Sequence, residues 1–112
     1  MGDFEWLDRQ FAWSDRLGIF VPSLQQDWDS MTRREQAAVL ERWEDIRGKI
    51  PDRVMRLEEE IKIKQDDLSD EEDFSASCRL NRDIAELASR INDLHIWFRT
   101  QQDLDEETKR HG

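Results

Sequence analysis

A seam of apolar residues recurs along the C-terminal part of the chain at alternating intervals of four and three residues. Its members are Leu80, Ile84, Leu87, Ile91, Leu94 and Phe98. This spacing keeps every member on one stripe of an α-helix, whereas a β-strand would alternate with period two. A long helix with one narrow apolar stripe needs a partner that buries it. The pattern therefore predicts a long helical arm over residues 69–108, packed against another helical segment.

The preceding residues 32–68 carry a matching apolar seam. Its positions are Val39, Trp43, Ile46, Ile50, Val54, Leu57, Ile61, Lys64 and Leu68. Thr32 with Glu35 forms a capping-box pattern that opens this arm. The interval from Ile50 to Val54, which spans Pro51, is four residues, whereas the alternation of four and three calls for three. That slip, together with the proline, predicts a bend in the first arm.

The two arms are expected to pair as an antiparallel helical hairpin. Each would be roughly 50 Å long if helical. A capping-box pattern at Ser69 and Glu72 marks the turn that joins the two arms. Counting outward from that turn puts Trp43 near Phe98. Lys64 is the one charged seam position, and we expect it to lay its stem along the core and reach Asp67 or Asp73. The alternative is a polar residue that fixes the register of the two helices.

Residues 1–31 are rich in aromatic side chains and are predicted to form an aromatic helix followed by a connector. The helix would begin near Asp3 and end near Leu17, with Gly18 at its C-terminal turn. On such a helix, Phe4, Leu7 and Phe11 form one stripe, while Trp6, Trp13 and Leu17 form a second about 120° away. No strand pattern stands out. The expected fold is thus all-α: one domain over 1–112, in which the aromatic helix packs on the helical hairpin as a small bundle. This helix would also cover a weaker apolar stripe on the second arm, at Phe74, Cys78, Ala85 and Ile96.

A helix with two apolar faces has one more face than a helical hairpin can bury easily. Large exposed apolar patches mark interaction sites, and tryptophan is enriched at interface hot spots. The candidate partner-binding residues are Phe4, Trp6, Phe11, Trp13, Leu17 and Trp28. Three interpretations stay open: these side chains belong to the core, they join two copies of the chain, or they dock another protein.

Charge narrows the classes of partner. Of the 112 residues, 39% are charged, and the formal net charge is −10. A phosphate backbone or an anionic membrane surface calls for a cationic footprint, so neither nucleic acid nor membrane is expected as a partner. Cys78 is the single cysteine, which excludes an intramolecular disulfide. The first nine residues lack a signal-peptide pattern, so a cytoplasmic location is expected.

Catalytic chemistry finds little support in the chain. A di-metal carboxylate bundle needs Glu-x-x-His pairs, but Asn92 stands three residues before His95. All-helical nucleotide pyrophosphohydrolases use acids three residues apart on neighbouring helices. Glu41 and Glu44 make such a pair, yet no second Glu-x-x-Asp pair follows at a matched position. No glycine-rich phosphate loop is present. We therefore expect neither a metal nor a cofactor, and no enzymatic activity.

The function that these observations favour is a non-enzymatic adaptor for protein–protein contact, acting through the aromatic N-terminal segment. One alternative is a structural or assembly subunit that forms a homodimer. Another is an acidic decoy that occupies the binding surface of a basic protein, for which the motivation is the net charge of −10.

Overall fold

The computed structural model of the chain describes the backbone of residues 2–111 and the side chains of residues 4–100. The chain is mostly helical, as predicted. Its elements are α1 (Gly2–Asp8), β1 (Phe11–Ser14), β2 (Ile19–Pro22), a 3₁₀ turn (Trp28–Ser30), α2 (Arg33–Arg47), α3 (Ile50–Asp70) and α4 (Phe74–His111). Helices α2 and α3 form the first arm of the helical hairpin, and α4 forms the second. No helix within the described backbone is both long enough and apolar enough to cross a membrane.

The bend in the first arm is confirmed. Helix α2 opens with the predicted capping box: the Glu35 amide donates to Thr32 Oγ1 at 3.1 Å, and the Thr32 amide donates to Glu35 Oε1 at 2.9 Å. The arm is interrupted at Gly48 and Lys49, which keep right-handed helical backbone angles. Pro51 lies in the first turn of α3, where a proline costs no helical hydrogen bond. The arm therefore bends without breaking.

The turn between the arms differs from the prediction. Ser69 does not cap the second arm, because α3 continues to Asp70 and the Ser69 hydroxyl donates to the Asp66 carbonyl at 2.9 Å. Asp73 takes the capping role instead, since its carboxylate accepts from the Ala76 amide at 2.9 Å. The sequence offers several acidic and hydroxyl residues in this stretch, and an aspartate caps as well as a serine.

The core lies along the two predicted seams. Its buried seam residues are Val39, Trp43, Ile50, Val54, Leu57, Leu87 and Leu94. Trp43 stacks edge-to-face on Trp97 with ring centroids 5.8 Å apart, one position from the predicted Phe98. Lys64 reaches across the helical hairpin to Asp83 at 3.3 Å, rather than to Asp67 or Asp73. A cross-helix ion pair of this kind supports the register of α3 against α4.

The predicted extension of the N-terminal helix to Leu17 is wrong. Helix α1 ends at Asp8, and β1 and β2 form an antiparallel β-hairpin, contrary to the expectation of no strands. Gly18 ends the loop with a φ of 72°, a left-handed angle that glycine adopts without strain. The apolar spacing at residues 4, 7 and 11 mimicked a helical period. Short apolar runs cannot be assigned by period alone, and the β-branched Ile19 and Val21 favour strand. Helix α1 begins at Gly2, close to the predicted start at Asp3, and the Asp3 side chain lies outside the described side chains.

The second apolar stripe of α4 is not covered, so that prediction is also wrong. Phe74 is 81% exposed and Ile96 is 48% exposed, and Cys78 and Ala85 are exposed as well. The shorter α1 cannot reach this face, because the chain turns into the β-hairpin after it. The exposed side chains on α4 are therefore free to take part in contacts outside the molecule.

Gln10 fastens the N-terminal segment, although it is a polar residue and only 2% exposed. Its side-chain amide donates to the Trp6 carbonyl at 3.1 Å and accepts from the Gln25 amide at 3.0 Å. Its backbone carbonyl accepts from the Ser23 amide at 2.8 Å. One side chain thus joins α1 and the connector on either side of the β-hairpin.

We expect Gln10→Leu to lower the free energy of unfolding by about 1–3 kcal/mol, because the change leaves partly buried backbone groups of Trp6 and Gln25 without their hydrogen-bond partner. Urea unfolding followed by circular dichroism measures this loss. Gln65→Leu, on the exposed surface of α3, is the matched control and is expected to change stability by about 0.5 kcal/mol or less. Equal effects of the two substitutions would contradict the role assigned to Gln10.

Candidate protein interaction site

Two aromatic rings stand exposed side by side on the β-hairpin. Trp13 on β1 faces Phe20 on β2, with ring centroids 5.0 Å apart in an edge-to-face arrangement. The bond from Ser23 to Gln10 marks that pair of residues as hydrogen-bonded, so alternation makes Trp13 and Phe20 a non-hydrogen-bonded pair. Side chains are closest at such positions, which explains the contact. Trp13 is 53% exposed and Phe20 is 48% exposed. We call these two residues the aromatic pair.

Two arginines hold the β-hairpin on the helical hairpin. Arg16, in the loop, donates to Glu86, Ser89 and Asp93 of α4. The hydrogen bond with Asp93 raises the pKa of the Arg16 guanidinium above its ordinary value. Arg53 of α3 donates to the Leu17 carbonyl at 3.0 Å. The loop is thus tied to both arms, which holds the aromatic pair in a defined position.

A groove of about 370 Å³ runs beside the aromatic pair, between the β-hairpin and the first arm. Its lining residues are Trp13, Gly18, Ile19, Phe20, Ile46, Lys49, Asp52, Arg53 and Arg56. Three cations face one carboxylate there. Lys49, Arg53 and Arg56 make no ion pair with any carboxylate among residues 4–100. We call this feature the basic groove, and its local charge is opposite to that of the whole chain.

The six candidate residues do not form one surface. Phe11 and Leu17 are buried in the core, and Trp6 and Trp28 are half-buried against it. Phe4 is 69% exposed, beside a separate depression between α1 and α2. Trp13 alone lies at the basic groove. The structure therefore divides the predicted aromatic surface between the core and the exterior.

Sequence reasoning missed Phe20, Lys49 and Arg56 as parts of this surface. The available signal was the sequence of residues 19–22, in which Ile19 and Val21 flank Phe20 as alternating strand residues do. Ile19 is buried and Val21 is half-buried, whereas Phe20 faces outward. Gly18 just before this run is the turn residue that a β-hairpin reading requires.

Other clusters of titratable or polar side chains give weaker evidence of a functional site. Among the described residues, no group of three or more His, Cys, Asp or Glu side chains could hold a metal ion. A shallow depression at the far turn is lined by Asp67, Asp70, Glu71, Arg79 and Asp83, with two apolar side chains. Within the described part of the chain, the buried indole N–H of Trp43 has no hydrogen-bond acceptor. It lies in the packed core, where the Trp43 ring stacks edge-to-face on Trp97.

We expect Trp13→Ala to lower the free energy of unfolding by about 1 kcal/mol or less, because half of its surface already faces solvent. Trp43→Ala, at a site that is 1% exposed, is expected to cost about 3–5 kcal/mol. Chemical unfolding of both variants measures the difference. If both substitutions lowered the free energy of unfolding by similar amounts, Trp13 would be a core residue and the aromatic pair would not be an exposed surface.

Comparisons with protein-family models, with curated proteins and with solved structures found no match to this chain. What the protein does must therefore be inferred from its own surface.

Proposed function

We propose that this chain is a non-enzymatic protein-interaction module that presents the aromatic pair and the basic groove to a protein partner. The single observation that carries the proposal is the exposure of Trp13 and Phe20 side by side on a β-hairpin fastened to both helical arms. Because about half of each ring faces water, the chain forgoes roughly half of the about 1.5–3 kcal/mol that full burial of each ring contributes. A partner that covers them recovers this free energy.

The rigidity of the site supports the proposal. A surface that is ordered before binding loses less conformational entropy on association than a mobile one. Arg16 and Arg53 anchor the loop, and Gln10 anchors the strand ends. Aromatic and arginine side chains are also the residue types enriched at the energetic centres of interfaces. The site combines both types within one groove.

The proposal includes no catalytic step, metal or cofactor. It assigns the protein to a reducing compartment such as the cytoplasm, which a single exposed cysteine favours over an oxidising one. The acidic-decoy alternative receives support only from the net charge of −10, since the most aromatic surface carries local positive charge. A self-associating subunit is favoured by the charge pattern of α3, which carries Arg53 and Arg56 near its start and Asp66, Asp67 and Asp70 near its end.

Site-specific photo-crosslinking tests the proposal. We expect a photoreactive amino acid in place of Phe20 to form a covalent protein adduct in extract of the source cells, because a partner would cover this position. The same label in place of Ile96, which is also 48% exposed, is the matched control and is expected to give much less adduct. Adducts are detected by mass shift and identified by mass spectrometry.

Removal of the neighbouring ring provides the second arm of this test. Trp13→Ala is expected to reduce the yield of the Phe20 adduct severalfold while leaving the fold intact, since both rings would contact the same partner. Equal adduct yields at positions 20 and 96, or a yield that Trp13→Ala does not change, would overturn the proposed function.

A further inference from the structure

One exposed face of α3 is divided by charge along its length. At about 100° per residue, one stripe about 80° wide contains Lys49, Asp52, Arg56, Glu60, Ile63, Asp67 and Asp70. All of these residues are exposed. Arg53 borders the stripe at its basic end. Before Glu60, the stripe and Arg53 together carry three cations and one carboxylate, whereas the stripe residues after Ile63 are all carboxylates. We call this feature the outer stripe; Ile63, at its centre, is 61% exposed.

A charge-divided stripe of this kind complements itself when two copies run antiparallel. A two-fold axis through Ile63 places Arg56 opposite Asp70 of the second copy, because both lie seven positions from the axis. The same operation repeats this pairing on the other side and brings the two Ile63 side chains together. Glu60 then approaches Asp67 of the second copy, a like-charge contact that offsets part of the gain.

The far turn brings a second complementary feature to the basic groove. The acidic residues Asp70, Glu71, Glu72 and Asp73 lead directly into Phe74, which is 81% exposed. With the axis at Ile63, this turn lies near the first turns of α3, where Arg53 and Arg56 line the basic groove beside the aromatic pair. An acidic segment that ends in an exposed phenyl ring matches three cations next to two exposed aromatic rings.

The contact must join two molecules. Within one chain, Arg53 and Asp70 are seventeen positions apart on the same helix, which is about 25 Å at 1.5 Å per residue. The turn therefore cannot fold back into its own groove. In the two-fold arrangement, the far turn of each copy lies at the basic groove of the other copy, so the assembly closes as a dimer.

We propose that the protein forms an antiparallel homodimer through the outer stripe of α3, in which the acidic turn and Phe74 of each copy occupy the basic groove of the other. This inference rests on the proposed function, since it names the partner of that same site as a second copy. It also gives a role to four exposed apolar residues that the monomer leaves in water: Trp13, Phe20, Ile63 and Phe74.

Sedimentation equilibrium of the full-length chain, up to about 1 mM, measures the dimer dissociation constant. About 0.15 M salt is suitable, because a Debye length of about 8 Å screens the long-range repulsion between two copies of charge −10. We expect a mass approaching twice 13.5 kDa as concentration rises. Ile63→Asp is expected to weaken association by at least about tenfold, because it buries a like-charged pair at the axis.

A matched control separates the interface from general surface effects. Met55 is also 61% exposed on α3, but it lies about 80° around the helix from Ile63, so Met55→Asp is expected to leave the dissociation constant unchanged within about twofold. Arg56→Glu is expected to weaken association by about tenfold, whereas Arg99→Glu, with the same change in charge, is not. Circular dichroism checks that every variant keeps its helical content.

The decisive variant exchanges the two charges. Asp70→Lys alone is expected to weaken the dimer, and Arg56→Glu combined with Asp70→Lys is expected to restore it, because each Arg–Asp contact becomes a Glu–Lys contact. A dimer that Ile63→Asp leaves unchanged, or a double variant no better than either single variant, would overturn the inference. A strict monomer that still forms Phe20 adducts with another protein would overturn self-association alone. A strict monomer without such adducts would overturn the proposed function as well.

Discussion

The antiparallel contact between α3 and α4 is the constraint on which the rest of the molecule depends. Leu57, Leu87 and Leu94 are buried along it, and Leu94 has no exposed surface. An α-helix of this composition, with charged residues on most of its circumference, gains stability in water chiefly through the one face that it buries. Without the burial of this seam, neither arm would be stable as a helix along its whole length. The β-hairpin would then lose the two surfaces to which its loop is attached.

Polar contacts decide where the β-hairpin lies on that helical framework. A two-stranded hairpin is marginally stable by itself in water. Here Ile19 is buried against the framework, while Arg16 and Arg53 tie the loop to opposite arms. The buried side chain of Gln10 hydrogen-bonds the partly buried Trp6 carbonyl and Gln25 amide. The exposed position of Trp13 thus depends on bonds made by other residues, because these bonds fix where the β-hairpin lies on the helices.

The long elements were predictable from the sequence, whereas the N-terminal third was not. The seam from Leu80 to Phe98 repeats often enough to identify a helix, and the capping box at Thr32 marks the start of the first arm. Residues 11–22 contain too few periods to separate helix from strand, and their placement depends on the contacts of Leu17 with Arg53 and of Arg16 with α4, both distant in sequence. Of the candidate site, Trp13 could be named in advance. Phe20 had a short strand signal in the flanking Ile19 and Val21, whereas the basic groove could not be named, because it depends on that tertiary arrangement.

The charge of the chain affects the approach of another molecule differently from the contact between the two surfaces. Within about a Debye length of the surface, the net charge of −10 dominates the field and repels polyanions and other copies alike. At contact distance the arrangement of individual charges decides, and α3 carries cations at one end and carboxylates at the other. Composition therefore limits which molecules approach, while the order of residues along one helix determines which surface they fit. A helix whose exposed face changes sign along its length is complementary to its own reverse, which gives an acidic chain a way to recognise a second acidic chain.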